Sequence, residues 1–214
     1  MSESEKFWNR YADKYSKKKI RDENMYQRKL TETQTLLDKD MRILEFGCGT
    51  GTTAIHHAEH VQHIDAIDTS ERMIEIAREK AKRAEARNIN FTRCSLTEFG
   101  AATSSFDAVL GLNVIHLLPD RASVLDEVAR VLKSGGLFIS TTGCLGNSCL
   151  RLIKLLEPFG TAFGFMPPVS IFTETELVKE ISAAGFQIEN RWRHGIQGIE
   201  VFIVARKPDN NNAL

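Results

Sequence analysis

The segment MRILEFGCGTGTT, residues Met41 to Thr53, decides the fold. Met41, Ile43, Leu44 and Phe46 form a short apolar run suited to a buried parallel strand, and from Gly47 glycine recurs at every second position. Strand, tight turn and helix follow one another. Gly47, Gly49 and Gly51 let the backbone take positive φ and approach a ligand closely, while Thr52 and Thr53 open a helix whose first N–H groups lack internal partners. Such a turn is built to hold a nucleotide-like or anionic group.

Spacing and the acid before the turn narrow the choice. A dinucleotide fingerprint needs glycine at the first, third and sixth positions, but counting from Gly47 the sixth is Thr52. The pattern is instead Glu45-x-Gly47-x-Gly49-x-Gly51, with Cys48 inside it. It resembles the first motif of the class I S-adenosylmethionine-dependent methyltransferases. The resemblance implies S-adenosyl-L-methionine as cofactor, its methionine end at the glycine turn and its ammonium held by Glu45. The chemistry agrees, since a zwitterionic tail needs a carboxylate for its cation and N–H donors for its anion. A glycine-rich connection in an ordinary α/β domain is the plain alternative.

With 214 residues, 42% of them hydrophobic and 26% charged, the chain has the composition of one domain with a full core. Zero net charge gives no overall attraction to nucleic acid or an anionic membrane, which favours a small-molecule substrate. Cys48, Cys94, Cys144 and Cys149 show neither zinc spacing nor the density of a secreted scaffold, so no metal is expected and a reducing cytoplasm fits. No apolar run approaches the ~20 residues of a membrane span, and the sequence sets no oligomeric state.

Residues 1–30 read as an N-terminal helical segment, with Phe7, Trp8, Tyr11 and Tyr15 on one stripe, then Ile20, Tyr26 and Leu30. In the resembling family such a segment often lies over the cofactor as a lid, which makes Tyr11, Tyr15 and Tyr26 candidates to face a sulfonium or the acceptor. Docking of the helix onto the sheet explains the same rings equally well. Lys17, Lys18 and Lys19 read as a solvated face.

A helix from Thr52 to His60 leads to a second strand, His63 to Asp68. Asp68 lies 17 positions beyond Gly51, where doubly wound folds place the acid that binds ribose hydroxyls. Thr69, Ser70 and Met73 resemble the family's next segment, although Ser70 serves equally as a plain helix cap. Helix 71–87 precedes a third strand, Phe91 to Cys94. Many family members then have glycine and aspartate, whereas here Cys94, Ser95 and Leu96 follow, leaving Ser95 and Leu96 as the adenine contacts the resemblance implies.

The fourth strand, Ser105 to Gly111, matches the family's Phe-Asp-x-Val strand, and the resemblance puts Gly111 and Leu112 beside the methionine portion. His116 falls at a frequent family histidine and is a candidate base, with a packed histidine as the bland reading. Lys133-Ser134-Gly135-Gly136 reads as the C-cap of helix 121–132, before a fifth strand from Leu137 to Thr142. Residues 143–172, with a helix expected over 148–159, form an unusually long connection rich in Leu, Ile and Phe, including Phe163 and Phe165. They are expected to roof an apolar acceptor pocket, with peripheral lipid or partner contact as the other use. A capped helix from Thr173, a closing hairpin (186–192 and 199–206) and a polar, disordered tail at 207–214 complete the chain. The expected fold is a Rossmann-like seven-stranded α/β sheet, mostly parallel with an antiparallel last strand inserted between the fifth and sixth, helices on both faces, its methyltransferase domain spanning 31–206.

The function implied is methyl transfer to a small, apolar or amphipathic acceptor. A cofactor-binding module without catalysis and a nucleotide-dependent oxidoreductase are the alternatives. His194 is a second candidate base, and Cys144 with Cys149 raises thiol or metalloid chemistry.

Overall fold

The computed structural model describes residues 1–148, 160 and 165–209. They divide into two compact units, Met1–Gly100 and Ala101–Leu214. In the first, β1 (Arg42–Phe46), β2 (His63–Asp68) and β3 (Ile89–Arg93) pair in parallel with β2 in the middle. Ile43, Leu44, Ile64 and Ala66 are fully buried, as expected of parallel strands inside an α/β unit. α3 (Thr52–His57) follows the glycine turn, and α4 (Glu71–Arg83) packs on β2 and β3.

The N-terminal segment is two helices, α1 (Glu3–Ser16) and α2 (Glu23–Gln34), not one run to residue 30. The chain restarts because the Asp22 carboxylate accepts the Met25 N–H and caps a new helix. Leu30 and Thr33 of α2 are buried, so a boundary at 30 cuts through a packed helix. α4 ends at Arg83, four residues early, with Glu85 at φ 55° turning the chain away. A short α5 (Leu96–Phe99) ends the unit.

In the second unit, β4 (Phe106–Leu112) is parallel to β5 (Leu132–Gly143). β7 (Glu200–Arg206) runs antiparallel to both β5 and β6 (Gln187–His194), so the last strand lies between the fifth and sixth as expected. α6 (Arg121–Val131) and α7 (Glu174–Ala183) complete it. The glycine pair is not a helix cap. Leu132 leaves α6 in extended conformation, and Lys133–Gly136 bulges out between the Phe106–Leu132 and Ala108–Leu137 pairs of the β4–β5 ladder. A Cβ on Gly136 would lie 2.8 Å from the Lys133 carbonyl oxygen and 3.1 Å from that of Asp107. The expected tail begins in order, with Lys207 N–H donating to the Gly136 carbonyl at 2.9 Å; residues 210–214 lie outside the described residues.

Gly51 welds the turn to α4. At φ 72°, a Cβ there would meet the Ala77 Cβ and the Phe91 ring at 2.8 Å, so this glycine serves the close helix packing for which a dinucleotide motif uses its third glycine. Gly51→Ala is expected to destabilise the protein by about 2–4 kcal/mol, from overpacking and left-handed strain together. Gly185→Ala, at φ 91° with nothing within 4 Å of the new Cβ, should cost only about 1–2 kcal/mol. Urea unfolding of the two variants checks the contrast; equal losses would deny the packing role.

Candidate functional site

Glu45 stands one residue before the end of β1 and is 2% exposed. Its Oε2 is buried without a hydrogen-bond partner among the described residues. Burial first, and then the charge of Asp68, push its carboxyl up to about 8. Asp68, at the end of β2, accepts the Gly49 N–H on Oδ2 at 2.9 Å and the Ser70 N–H on Oδ1 at 2.8 Å. Burial raises its pKa, and those two donors partly offset the rise.

The glycine turn is pinned. Gly47, Gly49 and Gly51 have φ of 65°, 53° and 72°. The Cys48 N–H donates to the Ile67 carbonyl and the Gly51 N–H to the Cys48 carbonyl, both at 3.0 Å. With Gly49 committed to Asp68, these three N–H groups are occupied within the protein. The Cys48 thiol is buried and held well above its ordinary pKa, by burial first and then by Asp68 and Glu45.

Aromatic side chains complete the place. The Tyr15 Cε1 lies 4.0 Å from where a Gly49 Cβ would be, and the rings of Phe7, Trp8, Tyr11 and Tyr15 form a connected series with centroids 5.2–6.5 Å apart. Loss of water around its hydroxyl, and then the charges of Asp68, Tyr11 and Glu45, raise the Tyr15 pKa. Burial likewise raises Tyr26, whose hydroxyl has Thr53 as a polar neighbour and also feels Glu45. Two carboxylates and two tyrosines thus lie near one another at the glycine turn.

Asn9, which the sequence reading missed, fastens α1 here. Its Oδ1 accepts from the Ser70 hydroxyl at 2.8 Å and the Arg72 N–H at 3.1 Å, and Arg72 forks onto Asp13. Ser70 caps α4 by accepting the Met73 N–H, and Met73 packs with Ala12 and Ile76 against Trp8. Met73 therefore docks α1, as the packing alternative for these rings requires. The Thr69 carbonyl accepts from Arg93. Ser95 caps α5 in a reciprocal box with Glu98, and Leu96 is 6% exposed, which commits the Ser95 hydroxyl locally.

The second unit holds the other expected residues. Gly111 is buried on β4 and Leu112 half-buried at its end. The His116 N–H donates to the Thr142 Oγ1 at 3.1 Å, and its Nδ1 lies 3.1 Å from the same oxygen. Burial lowers the His116 pKa, with Glu200 partly opposing, so the imidazole is neutral at pH 7 and able to take a proton. Its carbonyl accepts the Ser170 N–H at 2.7 Å, which ties the end of the long connection to this turn. Phe172 is buried under the Arg121 guanidinium, whereas Phe165 is 82% exposed. Phe163, Cys149 and most of the helix expected over 148–159 lie outside the described residues. His194 Nδ1 lies 3.3 Å from the Glu200 Oε2. Cys144 lines a cavity of about 200 Å³ with Glu174 and Arg193, and burial pushes its thiol up to about 12, the opposite of an activated thiolate.

Residues 43–136 match the model of the methyltransferase domain family. A demethylmenaquinone methyltransferase of Listeria welshimeri is 30% identical over 145 residues, covering 66% of this chain and 60% of the relative. A 27-O-demethylrifamycin SV methyltransferase of Amycolatopsis mediterranei is 35% identical over 97 residues, 44% of this chain and 36% of the relative. The crystal structure of the YcgJ protein from Bacillus subtilis superposes with a TM-score of 0.71 at 18% identity, over 86% of this chain and 99% of that one. Over residues 43–136 the chain is thus similar to a methyltransferase domain, and over 145 residues to a methyltransferase. The YcgJ likeness shows the fold, Rossmann-like α/β, and the chain spans about 60% of the length of its Listeria relative. No helix among the described residues is long and apolar enough to cross a membrane.

In the folded chain, a Glu45 pKa of about 8 against an ordinary value of 4.5 means that the folded state keeps a proton the unfolded state releases. The group's contribution is intact below about pH 4.5 and is lost as pH rises towards 8. Glu45→Gln is expected to raise the melting temperature of the free protein increasingly from pH 5 to pH 8. A pH-independent or negative effect would contradict the buried charge.

Proposed function

We propose that this chain binds S-adenosylmethionine in its first unit and transfers the methyl group to a small, apolar or amphipathic acceptor. The observation that carries the reading is Glu45, whose buried, unpartnered oxygen in a cluster with Asp68 and Tyr15 suits an ammonium. The bound cofactor supplies an activated methyl group on a sulfonium. Glu45 holds its ammonium, Asp68 keeps lone pairs for ribose hydroxyls beyond the two N–H groups it accepts, and Tyr11, Tyr15 and Tyr26 present ring faces to positive charge and exclude water. Ser95 and Leu96 are the adenine-side residues of this reading, and Gly111 and Leu112 its methionine-side residues. The Listeria and Amycolatopsis relatives, named for demethylmenaquinone and 27-O-demethylrifamycin SV, support a small-molecule acceptor. For an acceptor that must lose a proton, His116 is the base; a thiolate or neutral amine needs none.

Calorimetry with S-adenosylhomocysteine, together with methyl transfer assayed across thiols, amines and phenols, tests this. Binding and turnover on at least one class are expected, with Glu45→Gln weakening binding about tenfold to a hundredfold through loss of a charge-assisted bond. Tight binding without turnover on any class would indicate a binding module, and preference for a reduced dinucleotide would indicate an oxidoreductase. His116→Ala should lower turnover of a phenol by about a hundredfold and leave a thiol nearly unchanged; equal loss on both would deny the base role.

A further inference from the structure

Lys80 is a half-buried cation that makes no ion pair among the described residues. From the third turn of α4 its Nζ donates to the Thr50 Oγ1 at 2.8 Å and to the Thr52 Oγ1 at 3.0 Å. Thr50 is 4% exposed and lies between Gly49 and Gly51; Thr52 begins α3. Its charge is thus spent on two neutral hydroxyls of the glycine turn, while burial and the neighbouring Arg83 both disfavour it. Three of the turn's N–H groups are already occupied, since Cys48, Gly49 and Gly51 donate to Ile67, Asp68 and Cys48. On the acidic side stand Glu45 and Asp68, which suit a ligand's cation but repel its anion.

We propose that Lys80 is a positioning residue for the carboxylate end of the cofactor, setting the glycine turn through Thr50 and Thr52 and supplying positive charge that no carboxylate among the described residues pairs with. The inference rests on the reading of that turn as the seat of the cofactor's amino acid end. Alignment of the two hydroxyls depends on the ammonium, because each accepts from Lys80 and keeps its own O–H to donate. A cation behind the turn offsets the two acids in front of it and makes the place fit for a zwitterion rather than for any cation.

The test compares two probes on the full chain. S-Adenosylhomocysteine has the amino acid tail; 5′-methylthioadenosine has the same nucleoside and thioether without it. Lys80→Met is expected to weaken the first about five- to twentyfold and the second less than twofold, and Lys80→Arg to restore the first to within threefold of wild type. The second probe also reports that the variant is folded. Equal weakening of both probes, or of neither, would overturn the role assigned to Lys80 while wild-type binding upheld the site. A wild-type chain that binds S-adenosylhomocysteine no better than methylthioadenosine would overturn the reading of the turn and this inference with it.

Discussion

A carboxylate carried into the interior at the end of β1 is the constraint on which the arrangement of the first unit depends. Buried charge is costly unless paired, and the free protein offers Glu45 a second carboxylate instead of a cation. The pairing of β1 with β2, the glycine turn and the tyrosines of α1 and α2 all deepen that burial. Folding thus stores an unfavourable interaction at one point, which a ligand bearing an ammonium relieves. Stability and cofactor affinity are set against each other at this residue.

The aromatic stripe of the N-terminal helix includes the packing contact that the sequence suggested. Trp8 and Ala12 dock it on α4, with Asn9 bridging to the cap of that helix, while Tyr15 reaches the glycine turn. Asp68 has a similar double part, since it ties Gly49 to the start of α4 before any ligand is present.

What was legible in the sequence was local or periodic. The run Ile43 to Phe46, the alternating glycines, Asp68 at the end of β2 and the Ser70 cap depend on neighbours a few residues away, and the structure has them as read. The break at Lys17–Arg21 was hidden because apolar residues continue at helical spacing on both sides of it, and only the Asp22 cap marks the restart. Gly135 and Gly136 look like a helix terminus, yet the close approach of the Asp107 and Lys133 carbonyls decides their conformation. Asn9 and Lys80 lie 61 and 30 positions from residues they bond, and neither carries a pattern that announces it. The same holds for the Cys48 and Gly49 N–H groups, whose acceptors, Ile67 and Asp68, belong to a different strand.

The central claim is that Glu45 is a destabilised acid in the free protein and becomes a stable carboxylate beneath the cofactor's ammonium. Carbon-13 NMR of the Glu45 side-chain carboxyl, titrated free and saturated with S-adenosylhomocysteine, measures it directly. The account predicts a midpoint near 8 in the free chain that falls by about 2 units or more on binding. A free-state midpoint near the ordinary glutamate value, or one that the ligand leaves unmoved, would contradict it.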